Sequence, residues 1–222
     1  MLITEGDIYH TERIFDYLNK NKDKIKFRTH KINKEEHIFE QGQNINNIIF
    51  VLNGTISLHR SSPQGRRYQV GSFNHTGFIG LMEVFSDKTC FYSVIAESDC
   101  EVLIIGAKSF VNLVCQTPDL AAITFKHLTT KWYLSTERMT RNILHSLSYC
   151  VIDDLLQFAQ NNPGKAFIVN KSLECERLGT SLRVYNRILK QLNDIEAIAI
   201  SREGIQILNV NLLINELNKE AK

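Results

Sequence analysis

The sequence predicts an α+β chain with a β-rich N-terminal half, a long central helix, and a C-terminal domain of helices and one hairpin. Three observations carry this. Short apolar runs cut by glycines fill residues 31–106, apolar residues recur at helical steps from Pro118 to Leu144, and a helix, a glycine turn and a second helix follow between Asn170 and Leu192. At 222 residues, with 43% hydrophobic and 23% charged residues, the chain is long enough for two cores and has a globular composition. The expected division is 1–117, 118–146 and 147–222.

In chain order, Ile14, Phe15 and Leu18 recur at helical spacing and predict a short helix from about Thr11 to Asn19, followed by a lysine-rich, solvated stretch to Lys31. Strands are expected at His37-Ile38-Phe39, Ile48 to Leu52, Ile56 to Leu58, Tyr68 to Phe73, Ser93 to Ala96 and Cys100 to Ile105. Gly42, Gly54, Gly65, Gly77 and Gly80 fall between these runs, at turns that call for positive φ. Ala107 to Cys115 reads as a short helix, and Pro118 opens a long one reaching about Leu144. Along it Ala121, Phe125, Leu128, Trp132, Ser135 and Met139 alternate steps of four and three, the seam of a coiled coil. That seam is read as self-association into a homodimer, with packing on the chain's own β domain as the alternative. A further helix, about Ser148 to Gln160, stops at the turn Asn161-Asn162-Pro163-Gly164.

Several function classes find no support. No apolar run approaches the roughly 18 residues of a membrane span, and the N-terminus lacks a basic flank followed by an apolar core, so a cytoplasmic protein without a membrane partner is expected. Five widely spaced cysteines, an odd number, do not form a disulfide framework, and reduced thiols are the simpler expectation. Phosphate-cradling glycine loops, a nucleophile elbow and paired metal-binding histidines are all missing, so the chain is read as a non-enzyme with no metal site. A net charge of +2 says nothing for nucleic acid, because it averages over any local patch.

Such a patch lies near the C-terminus. Asn170 to Leu178, Gly179 and the segment from Ser181 to Leu192 have the parts of a helix-turn-helix, with small Cys175 inside the first helix and Ser181 capping the second. On the second helix Val184, Ile188 and Leu192 share one face, flanked by Tyr185 and Leu189, while Arg183, Asn186, Arg187 and Lys190 form the opposite stripe. From Arg177 to Asn193 there are four basic residues, Arg177, Arg183, Arg187 and Lys190, and no acidic one. Ala197 to Ile200, the turn Ser201-Arg202-Glu203-Gly204 and Ile205 to Leu208 read as a hairpin wing. Arginine forks suit guanine edges, and lysine and helix N-termini suit phosphate, so double-stranded DNA is the expected partner. The candidate contacts are Ser181, Leu182, Arg183, Asn186, Arg187, Lys190 and Arg202. The alternative is a ligand-binding or protein-interaction module that does not bind DNA.

Taken as an ordered set, Gln41-Gly42, Leu52-Asn53-Gly54, Gly77-Phe78-Ile79-Gly80, the long helix and Gly179-Thr180-Ser181 resemble the CRP/FNR superfamily of bacterial regulators over about Thr29 to Leu208. The resemblance implies a cyclic-nucleotide-binding-like β-roll (a double-stranded β-helix), a long dimerisation helix and a winged helix-turn-helix, in a dimeric, sequence-specific transcription regulator that contacts RNA polymerase if it activates. It places Leu182, Arg183 and Arg187 where the family reads base edges and Ser181 at the cap. Leu182 and Arg183 depart from the family's better-known arginine and glutamate, so a different target is expected, with Leu182 suited to a thymine methyl. Glu174 stands where an apolar residue is usual.

The resemblance also implies an effector pocket, assigned here to Phe78, Ile79, Gly80, Glu83, Cys90 and Phe91. Cyclic-nucleotide binders need a glutamate for the ribose and an arginine with a hydroxyl neighbour for the phosphate, and the matching positions hold Phe78, Cys90 and Phe91. Cyclic AMP is therefore not expected, since a buried phosphate without cation or donor is strongly disfavoured. Glu83 and Lys88 are the nearest substitutes. No Cys-x-x-Cys spacing supports an iron-sulfur cluster, and His75, a haem ligand by family analogy, reads more simply as a structural or exposed loop residue. The cofactor stays unassigned and the small-molecule effector unknown or absent.

Overall fold

The apolar run Ile48-Ile49-Phe50-Val51 sets the plan of the N-terminal half, because a strand apolar at every position must be covered on both faces. In the computed structural model, which describes residues 5–74 and 77–220 with the side chains of 5–9 and 71–74 excepted, all four are buried. The chain divides into two compact units, one up to Leu134 and one from Ser135.

The first unit opens with α1 (Glu5–Lys20), β1 (Phe27–Ile32), β2 (His37–Phe39), β3 (Asn47–Asn53), β4 (Thr55–Ser61), β5 (Arg67–Asn74) and β6 (Gly77–Ile79). α2 (Leu81–Ser86), β7 (Ser93–Ala96), β8 (Cys100–Gly106), α3 (Ala107–Gln116) and the long α4 (Pro118–Leu144) follow. The strands form two antiparallel four-stranded sheets, ordered β1-β8-β3-β6 and β2-β7-β4-β5. Alternation along β3 and β8 sends Ile49, Val51 and Val102 between the sheets, where they meet Phe39, Ile56, Val70, Val94 and Ala96. Ile48, Phe50, Leu103 and Ile105 point to the other face and pack under Ile14, Leu18, Phe110, Leu113 and Leu120 from the helices.

Helix α1 begins earlier than the spacing of Ile14 and Leu18 suggests. The stretch after it is not simply solvated: Ile25 is 2% exposed, and β1 pairs with β8 along its length. β1 escapes notice because its central residues, Arg28 to Lys31, are exposed, as suits a charged sheet edge. Gly42, Gly54, Gly65 and Gly80 have the expected positive φ, and Gly77 is the first residue of β6. At Gly80 a Cβ would lie 2.9 Å from Ile45 Cδ1, and its φ of +91° opens α2.

Helix α4 buries Leu120, Thr124 and His127. Of the heptad stripe, Ala121 and Leu128 are partly buried against the unit's own core, as the alternative to self-association has it, while Phe125, Trp132 and Met139 are 57%, 73% and 55% exposed.

The second unit contains the end of α4, then α5 (Leu147–Asn161), α6 (Lys171–Leu178), α7 (Leu182–Asp194), β9 (Ile198–Ser201), β10 (Gly204–Ile207) and α8 (Val210–Glu220). Ser146 caps α5 by accepting from the Tyr149 N–H at 3.0 Å. Its core gathers Ile152, Leu155, Tyr185, Ile188, Leu189, Leu192, Ile198, Ile205 and Leu213. Leu213 comes from α8, a helix the sequence reading did not foresee.

Candidate nucleic-acid interface

The helix-turn-helix is built from local signals. Asn170 caps α6 by accepting from the N–H groups of Ser172 and Leu173 at 3.1 and 3.4 Å. Gly179 ends the helix at φ +65°, and the Thr180 N–H returns to the Cys175 carbonyl at 2.9 Å, satisfying the last turn. Ser181 then caps α7 through the Val184 N–H at 3.4 Å. Cys175, 5% exposed, is the small residue that lets α6 and α7 share the core with Tyr185.

On α7 the two faces separate as the spacing requires. Tyr185, Ile188, Leu189 and Leu192 are buried, with Val184 partly so; Leu182, Arg183, Asn186, Arg187 and Lys190 are all exposed. The wing is an antiparallel pair in which Ser201 faces Gly204, leaving Arg202 and Glu203 in the exposed turn. Phe167 bridges to Ile205 on the free side of β10. Lys171, missed in the sequence because it stands outside the acid-free stretch, donates to Asn186 Oδ1 at 3.1 Å and so adds a cation beside the α7 stripe. Its place in the first turn after the Asn170 cap was the available signal.

Arg177 does not belong to that stripe, contrary to the count of basic residues along the sequence. Its side chain is 12% exposed and bound to Asp154 and Glu174, with Nε to Glu174 Oε2 at 2.9 Å. Glu174, unusual where an apolar residue is normal, is thereby explained: it is the partner of Arg177.

In the first unit, Glu83, Cys90 and Phe91 line an open cleft of about 420 Å³, together with Gln41, Arg60, Met82 and Lys88. Phe78 does not line it. Its ring packs against Phe50 at 4.5 Å and Phe110 at 6.2 Å, so it serves the core. Ile79 packs between the sheets, and Gly80 sits close to Ile45 and Phe39, so neither faces the cleft.

The cleft holds an arginine the sequence reading overlooked. Arg60 follows Ile56 and Leu58 at every second position of β4, which was the signal; its guanidinium lies 4.0 Å over the Phe91 ring and donates to the Phe91 carbonyl at 2.7 Å. Glu83 Oε1 accepts the Phe91 N–H at 3.1 Å, holding the same residue from the other side. Burial, reinforced by Glu83, pushes the Cys90 thiol up to about 11, which disfavours the thiolate. Among the described residues no three metal-ligating side chains converge, and no helix is long and apolar enough to cross a membrane. His75 lies outside the described residues.

Residues 29–116 match the cyclic nucleotide-binding domain family. No curated protein matches the chain. Among solved structures, FixK2 from Bradyrhizobium japonicum is 17% identical with a TM-score of 0.68, covering 85% of this chain and 96% of its own. CLP from Xanthomonas campestris, described as a c-di-GMP responsive global regulator, is 18% identical with a TM-score of 0.69 and coverages of 90% and 98%. A putative transcriptional regulator of the CRP/FNR family from Eubacterium rectale is 16% identical, with a TM-score of 0.69 and coverages of 97% and 95%. Likeness at such identities is likeness of fold.

Proposed function

From a chain that carries a cyclic nucleotide-binding-type domain and has the fold of the CRP/FNR-family regulators, we propose a transcription regulator that binds double-stranded DNA as a homodimer. The observation that carries this reading is the exposed face of α7, where Arg183, Asn186, Arg187 and Lys190 stand opposite a largely buried apolar face. A helix so divided packs on its own domain and leaves a cationic ridge of a size that enters the major groove. In this reading Arg183 and Arg187 pair with base edges, and Leu182, 44% exposed, meets a thymine methyl. Lys190, Lys171, Arg202 and the α7 N-terminus beyond Ser181 bind phosphate.

The exposed Phe125, Trp132 and Met139 on α4 support pairing with a second copy, which would align two recognition helices on a two-fold site. The cleft argues against cyclic AMP: the arginine present is engaged by Phe91, and Glu83 is committed to the Phe91 backbone. A regulator of this kind works in the cytoplasm, performs no catalysis, and meets RNA polymerase if it activates.

The test is selection from a random duplex pool with purified protein and no added ligand, beside Arg183→Ala/Arg187→Ala. Enrichment of a symmetric site with half-sites about one helical turn apart, lost in the variant, supports the proposal. Equal DNA affinity of the two proteins would refute it and favour an interaction module that does not bind DNA.

A further inference from the structure

Five charged side chains in the second unit form one connected network that the DNA-binding face does not use. Arg141, in the last turn of α4, donates through Nη1 to Asp153 Oδ2 at 2.7 Å and to Asp154 Oδ1 at 2.8 Å, both on α5. Asp154 turns its second oxygen, Oδ2, to Arg177 of α6. Arg177 is gripped again from its own helix by Glu174, its Nη2 lying 2.5 Å from Oε2. Gln157 Nε2 donates to Asp153 Oδ2 at 2.8 Å and holds that carboxylate in place. All five charged side chains are between 12% and 20% exposed.

We propose that Asp154 is a positioning residue for DNA recognition: by binding an arginine on each side, it locks the helix-turn-helix at one angle to the end of α4. The inference rests on the reading of the chain as a dimeric DNA-binding protein.

Energetics favour this role over a purely stabilising one. Largely buried ion pairs lose most of their Coulombic gain to desolvation, and well-packed apolar residues in their place are often as stable or more so. What ion pairs add is direction, since a guanidinium fork meets a carboxylate in few geometries whereas apolar side chains slide. Three acids face two arginines here, so the network is not even neutral within itself, and burial is tolerated because each carboxylate has a cation or amide donor. α6 and α7 share one core, in which Cys175 and Tyr185 are both buried, and burial and the negative charge of Glu174, opposed by Arg177, push the Tyr185 hydroxyl well up. A rotation of α6 about α5 would therefore carry the recognition helix with it. In a dimer paired along α4, that angle sets the distance between the two recognition helices, and so the half-site spacing.

The experiment measures affinity for the selected symmetric site and for versions lengthened or shortened by about two base pairs, with an isolated half-site as reference. Three proteins are compared: wild type, Asp154→Asn, and the triple variant Asp154→Leu/Glu174→Leu/Arg177→Met, which fills the same volume with apolar side chains. Wild type should lose about tenfold or more on respaced DNA, while both variants bind the half-site as wild type does and discriminate spacings by less than about threefold. A folded triple variant that keeps wild-type discrimination overturns the proposal, as does loss of fold in both variants, which would make the network structural. Wild type that binds no DNA would instead defeat the DNA-binding reading itself.

Discussion

Trp132→Ala tests the dimer in the place where the exposed apolar surface is largest. The side chain is 73% exposed on α4 of the single chain. A tryptophan offers up to about 250 Å² for burial, so about 180 Å² stands in water, and covering all of it would contribute ~4.5 kcal/mol at ~25 cal/mol per Å². A helix pairing covers part of the ring and alanine keeps some of the contact, so ~2 kcal/mol per protomer is the reasonable loss, ~4 kcal/mol for a dimer that buries two copies. That corresponds to a dimer dissociation constant about a thousandfold weaker. Sedimentation equilibrium over a dilution series reads it directly. Because the ring is absent from the core of its own unit, the far-ultraviolet spectrum should not change, and affinity for a symmetric site should fall with the dimer. A variant that dissociates at the wild-type concentration would refute pairing along this face.

Four further outcomes are expected. Gly54→Ala puts a Cβ 2.5 Å from Cys100 Sγ and 2.8 Å from the Asp99 carbonyl at a φ of +115°, so clash and backbone strain together should cost about 3 kcal/mol; a thermal melt of the folded chain reads the loss, and an unchanged midpoint would contradict it. Gly42→Ala, with φ +83° and nothing within 4 Å, should lose only about 1 kcal/mol in the same melt. His59 is 7% exposed and burial holds its pKa below 6.5, so the folded state resists protonation that the unfolded chain accepts. Stability present above pH 6.5 is then lost as the pH falls, and His59→Gln should flatten calorimetric midpoints between pH 7.5 and 5.5, whereas parallel slopes would exclude His59. Iodoacetamide should label exposed Cys115 first, leaving buried Cys90, Cys100, Cys150 and Cys175 to react on unfolding; early labelling of Cys90 would contradict its raised pKa.

Local periodicity decided much of the architecture before any tertiary contact was considered. Alternation along β7 and β8, Pro118 at the first turn of α4, and the Asn170, Gly179 and Ser181 caps each depend on residues within one or two turns, where backbone preference and side-chain spacing act directly. The two faces of α7 followed from the same arithmetic. Elements whose signal is weak were the ones lost: β1, whose central residues are exposed, the three-residue β6, the six-residue α2, and α8, which contributes a single buried residue, Leu213.

Partnership between distant residues belonged to the tertiary structure alone. Arg177 reads as one more cation of the basic stretch until Asp154, 23 positions earlier, takes its guanidinium. Arg60 passes unremarked in the sequence until Phe91, 31 positions later, receives it, and Phe78 reads as a pocket residue until Phe50 and Phe110 claim its ring. The physical reason is common to all three. The sequence by itself determines which face of an element a side chain occupies, because that depends on backbone geometry; what meets that face depends on packing between segments far apart in the chain, and only folding brings those charges and rings within reach.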